Sequence, residues 1–363
     1  MVYDASSDTL LQKVWDGGRI DRGEALRLYR LPLAELGRLA QRRRELAKAS
    51  AYQGRGNQVV TYIVDRNINY TNVCNVYCKF CAFYRTEKDA DAYVISHAEM
   101  DRKIEETLAH GGTQILLQGG HHPGLKLDWY LELLAHIKAR FPAINIHGFS
   151  PSEFIHFQKV FDLPVEEIIR RFMQAGLGSI PGGGAEILVD RVRQRVAPLK
   201  ATADEWLFVM DTAHRLGLRT TATMMFGHVE TVEDRVEHLD RVRAQQDRTG
   251  GFTAFICWTY QPENTRLRAP TVGAHEYLRT QALARIYLDN FENVQSSWVT
   301  QGPDIGQVGL RFGANDLGSI MLEENVVSQA GATYRMDVED MRRLIREAGY
   351  EPHQRDNWYR LLN

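Results

Sequence analysis

Cysteine is scarce in this sequence, with 4 among 363 residues. So few thiols cannot staple a chain of this length into a disulfide scaffold, and in a reducing compartment clustered cysteines hold metal or do chemistry. An excess of one charge is lacking too, since 44 basic and 46 acidic residues leave a net charge of -2. That balance supplies no field for gripping a nucleic-acid backbone, so nucleic acid is not an expected partner. The one basic run, Arg42-Arg43-Arg44, falls in a helical pattern and reads as a solvated face. Apolar runs long enough to cross a bilayer are missing, the most hydrophobic stretches being strand-sized pieces such as Ile115-Leu116-Leu117. The opening Met1-Val2-Tyr3-Asp4 has neither the basic nor the apolar region of a secretory signal, and the expectation is a cytoplasmic protein without membrane insertion. No repeat, low-complexity tract or Pro/Ser-rich linker marks a second domain.

What is present is an ordinary globular composition, 44% hydrophobic and 25% charged, able to bury a sizeable core. Residues 1–55 are helical in pattern, with Asp21 and Glu24 spaced as a capping box and Pro32 suited to a first helical turn. From Val59 onward, short β-branched or apolar runs alternate with amphipathic segments, the rhythm of a parallel sheet. Strands are expected over 59–68, 114–118, 144–149, 178–180, 219–225, 253–258, 293–297 and 309–312. Ser96 with Glu99 and Thr202 with Glu205 start helices as capping boxes, while Gly111 and Gly217 end them. Eight strand-helix units predict an α/β fold with a single (β/α)8 TIM-type barrel over 56–363, preceded by a helical extension over 1–55. In such a barrel, chemistry belongs on the loops that follow the strands.

The strongest motif is Cys74-Asn-Val-Tyr-Cys78-Lys-Phe-Cys81, three thiols in one loop directly after the first predicted strand. Zinc in a structural site wants four closed ligands, and the nearest further candidate is His97. Iron-sulfur clusters are held by thiolates, and three of them leave one iron open to an outside ligand. A non-catalytic metal module that merely pins the loop is the alternative of another class. The fourth cysteine, Cys257, lies inside a predicted strand and reads as a small buried hydrophobe.

This three-cysteine spacing after a first barrel strand resembles the radical S-adenosylmethionine superfamily. The resemblance implies a 4Fe-4S cluster on Cys74, Cys78 and Cys81, with S-adenosylmethionine on the open iron and a 5'-deoxyadenosyl radical as the reagent. It also implies an electron donor such as flavodoxin or ferredoxin. By the same resemblance Gly119 and Gly120 approach the methionine amino group, Phe80 packs beside the adenine, and Glu186 contacts the ribose or amino group. Lys200 meets the carboxylate, and Gly227 with Glu230 belongs to an adenine-contacting segment. Further segments, Asn67–Cys74, Cys81–Arg85, Gln261–Thr265 and Gly313–Ser319, resemble the branch of menaquinone-pathway and deazaflavin-cofactor radical enzymes. Gln118–Pro123 and Ser297–Gln301 point within it to those acting on dehypoxanthine futalosine, which implies that small molecule as substrate. The implied reaction takes a ribose C4' hydrogen and closes the carbon radical onto the benzoate ring. A sibling of aminofutalosine-forming or deazaflavin-cofactor type is the alternative.

The predicted loops carry a matching set of polar and aromatic residues. Tyr260, Gln261 and Asn264 follow the sixth strand, Trp298 and Thr300 the seventh, and Asn315 and Asp316 the eighth, a set suited to a hydroxylated aromatic carboxylate. The last step needs a base. His121, His122, His147, His228 and Glu230 all fall near strand ends; His121 is the expected base, with Glu230 beside it as a catalytic residue.

Overall fold

The computed structural model describes residues 5–362, so the opening Met1–Asp4 read above for a leader lies outside the described residues. Ten strands form one parallel sheet: β1 Val59–Ile63, β2 Asp65–Asn69, β3 Gln114–Gln118, β4 Asn145–Gly148, β5 Leu177–Ile180, β6 Arg219–Phe226, β7 Phe252–Thr259, β8 Asn293–Gln295, β9 Asp316–Ser319 and β10 Glu351–Gln354. Their order is β10-β1-β9-β8-β7-β6-β5-β4-β3-β2. Only Val64 separates β2, at one end of the run, from β1, the last strand but one at the other, so the curled sheet is closed through the chain, with β10 added outside β1. One edge of the 59–69 segment takes β9 against β1, and β3 pairs with β2 further along. With β1 and β2 counted as one broken strand, eight strands make the ring of the expected (β/α)8 barrel. The tenth pairs with β1 from Val59↔Glu351 to Tyr62↔Gln354.

The helices form where the sequence supplies start signals and apolar stripes. Ser150 and Glu153, Thr202 and Glu205, and Thr231 and Asp234 make reciprocal capping boxes at three of them. On Val165–Ala175 the buried Val165, Ile168, Ile169 and Phe172 recur at helical spacing and face the sheet. Trp206, Val209, Met210 and Ala213 do the same on Ala203–Arg215. Among the described residues no helix is long and apolar enough to cross a membrane.

Two expectations are corrected. The apolar run 309–312 is no strand: Gly302 at φ 89 and Pro303 at the first helical position start a helix, Pro303–Gly309, that ends there. Phe312 then packs its ring on Gly37 of the helix Leu33–Lys48, and the last barrel strand is β9, four residues later. A short apolar run reads equally as strand or buried turn, and here tertiary packing decided. The basic run 42–44 is also no solvated face, since Arg44 is fully buried and Arg43 nearly so. The Arg44 guanidinium donates to the carbonyls of Ala314 and Val59, each at 3.1 Å, which ties the N-terminal helix to the seam beside β1. Lys48, on the same face, donates to Asn293 Oδ1 at 3.0 Å and to Glu292 at 2.7 Å.

Candidate active site

A cavity of about 420 Å³ opens where the strands end and runs down into the barrel. Its upper wall is the loop after β2, where alternate residues turn inward: Cys74, Val76, Cys78, Phe80 and Cys81 line the cavity. Asn75, Tyr77 and Lys79 are exposed on the other side. All three loop cysteines are free thiols, and burial pushes the Cys78 thiol up to about 12 and Cys81 above its ordinary value. Among the described residues no three of His, Cys, Asp and Glu converge closely enough to hold one ion. Thiols spread around one wall without a fourth protein ligand do not suit a closed zinc site, and they do suit a wider cluster with one open iron.

The glycines after β3 are dictated by this loop. A Cβ on Gly120 would stand 2.1 Å from the Val73 carbonyl and 2.9 Å from the Cys74 Cβ, and one on Gly119 would stand 2.6 Å from the Tyr70 ring. Bare backbone lets the two loops touch, with Gly120 N–H donating to Thr71 O at 2.9 Å. Gly119 N–H donates to Glu153 Oε1 at 3.1 Å, and Tyr70 OH to the same oxygen at 2.8 Å. Burial raises the Glu153 carboxyl despite the hydrogen bonds it accepts from Ser150, Tyr70 and Gly119.

Beside the cysteine loop stand Glu186 and Lys200, paired at 2.5 Å and both lining the cavity, Glu186 buried and Lys200 nearly so. Burial alone would raise the Glu186 carboxyl, but the Lys200 ammonium outweighs it and holds the acid ionised. Glu186 sits at φ 43, a left-handed conformation costly for a side chain of this size and a mark of local constraint. The Lys200 Nζ also lies 5.2 Å above the Phe80 ring, which joins this pair to the cysteine loop.

Of the other expected residues, His121, Tyr260, Gln261 and Thr300 also line the cavity. Burial drives the His121 imidazole well below its usual value, so it is neutral near pH 7. Among the described residues Thr300 Oγ1 has no partner, whereas the Tyr260 hydroxyl is already bound to Leu267 O and Thr265. The structure does not bring six expected residues to the cavity. Glu230 is turned away from it: its oxygens take the Gly227 and His228 N–H groups at 2.7 and 2.9 Å and the Arg235 guanidinium, so it pins its own loop and no oxygen is left for a base. Gly227 lies in that loop, where a Cβ would stand 2.2 Å from Val272. Asn264 is exposed and donates to Gln329 O at 2.9 Å. Trp298 is core, its indole N–H on Ser319 O at 2.9 Å. Because the last strand begins at 316 and not 309, Asn315 and Asp316 fall at its start, away from the mouth. There Asn315 accepts from Arg285 at 2.7 Å and Asp316 binds Arg355 through both oxygens.

Of the barrel interior, loop reasoning reached only His147 and Gln118. Asp65, Asn67 and Asn69 all point inward from β2, joined by Gln114 and Gln118 of β3, His147 of β4 and Gln295 of β8. Asp65 accepts from Gln114 Nε2 at 2.9 Å and from Ser319, and burial raises its carboxyl. His147 Nδ1 meets Ser179 Oγ at 2.7 Å, and burial takes its imidazole down to about 3. TIM-barrel interiors are filled by branched aliphatics. This one is a polar shaft, and its signal was the Asp65-Arg-Asn67-Ile-Asn69 alternation itself.

The model of the radical SAM superfamily matches residues 68–242, and that of the CofH/MqnC C-terminal region matches 249–363. The chain is 47% identical to the cyclic dehypoxanthine futalosine synthase of Streptomyces coelicolor, covering 100% of this chain and 90% of that one. It is 43% identical to the protein of the same name from Halalkalibacterium halodurans, covering 98% and 95%. Among solved structures, methylornithine synthase shares the fold at TM-score 0.71 and 16% identity, covering 94% of this chain and 97% of that one.

Proposed function

The chain belongs to the radical SAM superfamily, and with that as premise we propose that it cyclises dehypoxanthine futalosine to cyclic dehypoxanthinyl futalosine on the futalosine route to menaquinone. Its cofactors are a 4Fe-4S cluster and S-adenosylmethionine, which together supply a 5'-deoxyadenosyl radical able to take the ribose C4' hydrogen. Cys74, Cys78 and Cys81 hold the cluster. Glu186 and Lys200, an acid and a base fixed opposite each other, offer complementary charges to the ammonium and carboxylate of the methionine moiety, and Phe80 an aromatic face to the adenine. Gly119 and Gly120 let the backbone come close.

One observation carries the substrate reading: the polar shaft of Asp65, Asn67, Asn69, Gln114, His147 and Gln295 opens into the same cavity as the cysteines. Amides, a carboxyl and an imidazole suit ribose hydroxyls and a ketone, while Tyr260, Gln261 and Thr300 above them suit the aromatic carboxylate. Enclosure keeps water from a reactive radical and holds the C4' hydrogen and the ring in one geometry. His121, neutral and facing the cavity, takes the ring proton, and the ring radical gives up one electron to the oxidised form of the external carrier; loss of the two together restores aromaticity. An external one-electron donor, flavodoxin or ferredoxin, completes the system in the cytoplasm.

Anaerobic enzyme given S-adenosylmethionine, reductant and dehypoxanthine futalosine should form the cyclic product, with transfer of label from C4' into 5'-deoxyadenosine, read by mass spectrometry. Release of 5'-deoxyadenosine with the nucleoside untouched would overturn the substrate reading and leave the radical chemistry standing.

A further inference from the structure

The cysteine loop has an outer face that the reaction cavity does not use. Tyr77 and Lys79 project outward between the cysteines, and Lys79 is held in place from both sides. Its N–H donates to Val196 O at 2.8 Å, and its carbonyl accepts from Arg266 N and Leu267 N at 2.9 and 2.8 Å. These contacts set Arg195, Arg266 and Arg268 around it, all exposed. The Arg266 guanidinium reaches the Tyr77 carbonyl and lies 5.4 Å from the Tyr84 ring, which fixes the patch to the loop. Two apolar side chains of the same segments are exposed, Tyr77 by 40% and Leu199, four residues after Arg195, by 62%.

Among the described residues, none of Lys79, Arg195, Arg266 and Arg268 is in an ion pair, and the carboxylates of the flanking segments are engaged elsewhere. Glu186 holds Lys200, Asp190 accepts from Ala203 N and Asp234 binds Arg191, while Glu263 lies beside Gly331 and pairs with none of the four cations. A chain with net charge -2 has thus gathered four unneutralised cations and two exposed apolar side chains on the segments directly outside the thiols that would hold the cluster.

We infer that this face is the docking surface for a small acidic protein carrying a one-electron redox centre. The inference rests on the cluster assignment. Cationic rims steer acidic partners and a small apolar centre excludes water at the contact, the usual division of labour in a transient interface. One electron passes from the reduced carrier to the oxidised cluster, leaving the carrier oxidised by one electron. The short path through a single loop is what makes this face the effective one.

The test uses reconstituted holoenzyme and reduced flavodoxin as the probe, with two charge-reversed variants, Lys79→Glu/Arg268→Glu and Arg195→Glu, and Arg346→Glu as a control on an outer helix. Binding is measured by titration at low and raised salt, beside S-adenosylmethionine cleavage driven either by flavodoxin or by dithionite. The expected result is salt-sensitive binding, weakened about tenfold in the double variant and less in Arg195→Glu, with flavodoxin-driven turnover falling in step. Dithionite-driven cleavage and the control stay at wild-type values. Unchanged binding in both variants, or equal loss in Arg346→Glu, overturns the proposal. Should wild-type enzyme cleave nothing with dithionite, the radical reading fails, and the binding titration still decides the surface. Arg195 lies outside the cysteine loop, so its variant decides even where Lys79→Glu disturbs that loop.

Discussion

Glu186 and Lys200 show how much one buried pair can carry. Each is held charged chiefly by the other, because burial opposes both ionised forms. Removing one partner of such a pair strands the other charge, at a cost of about 3–5 kcal/mol. Glu186→Gln should therefore lower the thermal midpoint and weaken S-adenosylmethionine binding about tenfold, a difference of ~1.4 kcal/mol. Denaturation and equilibrium binding on reconstituted enzyme check the two effects separately, and unchanged affinity beside lost stability would reduce the pair to a structural role. The places of Glu186 and the cysteines at the cavity were legible because motif and position after a strand coincide, whereas Lys200, which follows the helix Asp190–Val196, had no such support. Glu230 was not: its neighbours in sequence, Gly227 and His228, are the very N–H groups that consume its oxygens. A carboxylate near a strand end can serve the backbone or a ligand, and composition does not tell which.

At the scale of elements, the meeting of two loops is the tightest constraint in the site. Gly120→Ala would drive a methyl into the Val73 carbonyl just ahead of Cys74, and backbone cannot swing aside as a long side chain can. Overpacking of this kind costs about 1–3 kcal/mol, and the displaced part here is the loop that carries the thiols. Iron content after reconstitution should fall more than helical content by circular dichroism; equal losses would mean a general folding defect. Strand positions were read well where β-branched runs are bounded by caps, as at Gln114–Gln118, whose limits the structure reproduces. They failed at 309–312, where Gly302 and Pro303 had already started a helix. The interior stripe on β2 is hidden for a related reason: polar residues alternating along a strand read as a solvent-facing edge, and only closure of the sheet turns Asp65, Asn67 and Asn69 inward.

For the whole molecule, buried histidines set the acid limit. Burial lowers His147 and His238 to about 3 and His214 to about 4. In the unfolded chain the same imidazoles titrate near 6.5. Between those values the unfolded state binds more protons than the folded one, so stability rises with pH there and falls on acidification. The thermal midpoint should be flat above about pH 7 and drop steadily from about pH 6.5 toward pH 4. His238→Asn should lessen that slope, as followed by calorimetry across buffers. A slope indifferent to this substitution would assign the acid limit to carboxylates.

The pairing of β10 with β1 has a consequence in time. Val59 is matched with Glu351, and Arg355 beyond it clasps Asp316 of β9. During translation, at roughly 5–20 residues per second, β1 waits on the order of tens of seconds for the strand that covers its edge. Throughout that interval it offers unpaired backbone groups to any passing strand. A nascent chain is thus most exposed to misassociation at its oldest strand, and synthesis halted short of residue 351 leaves that edge open for good.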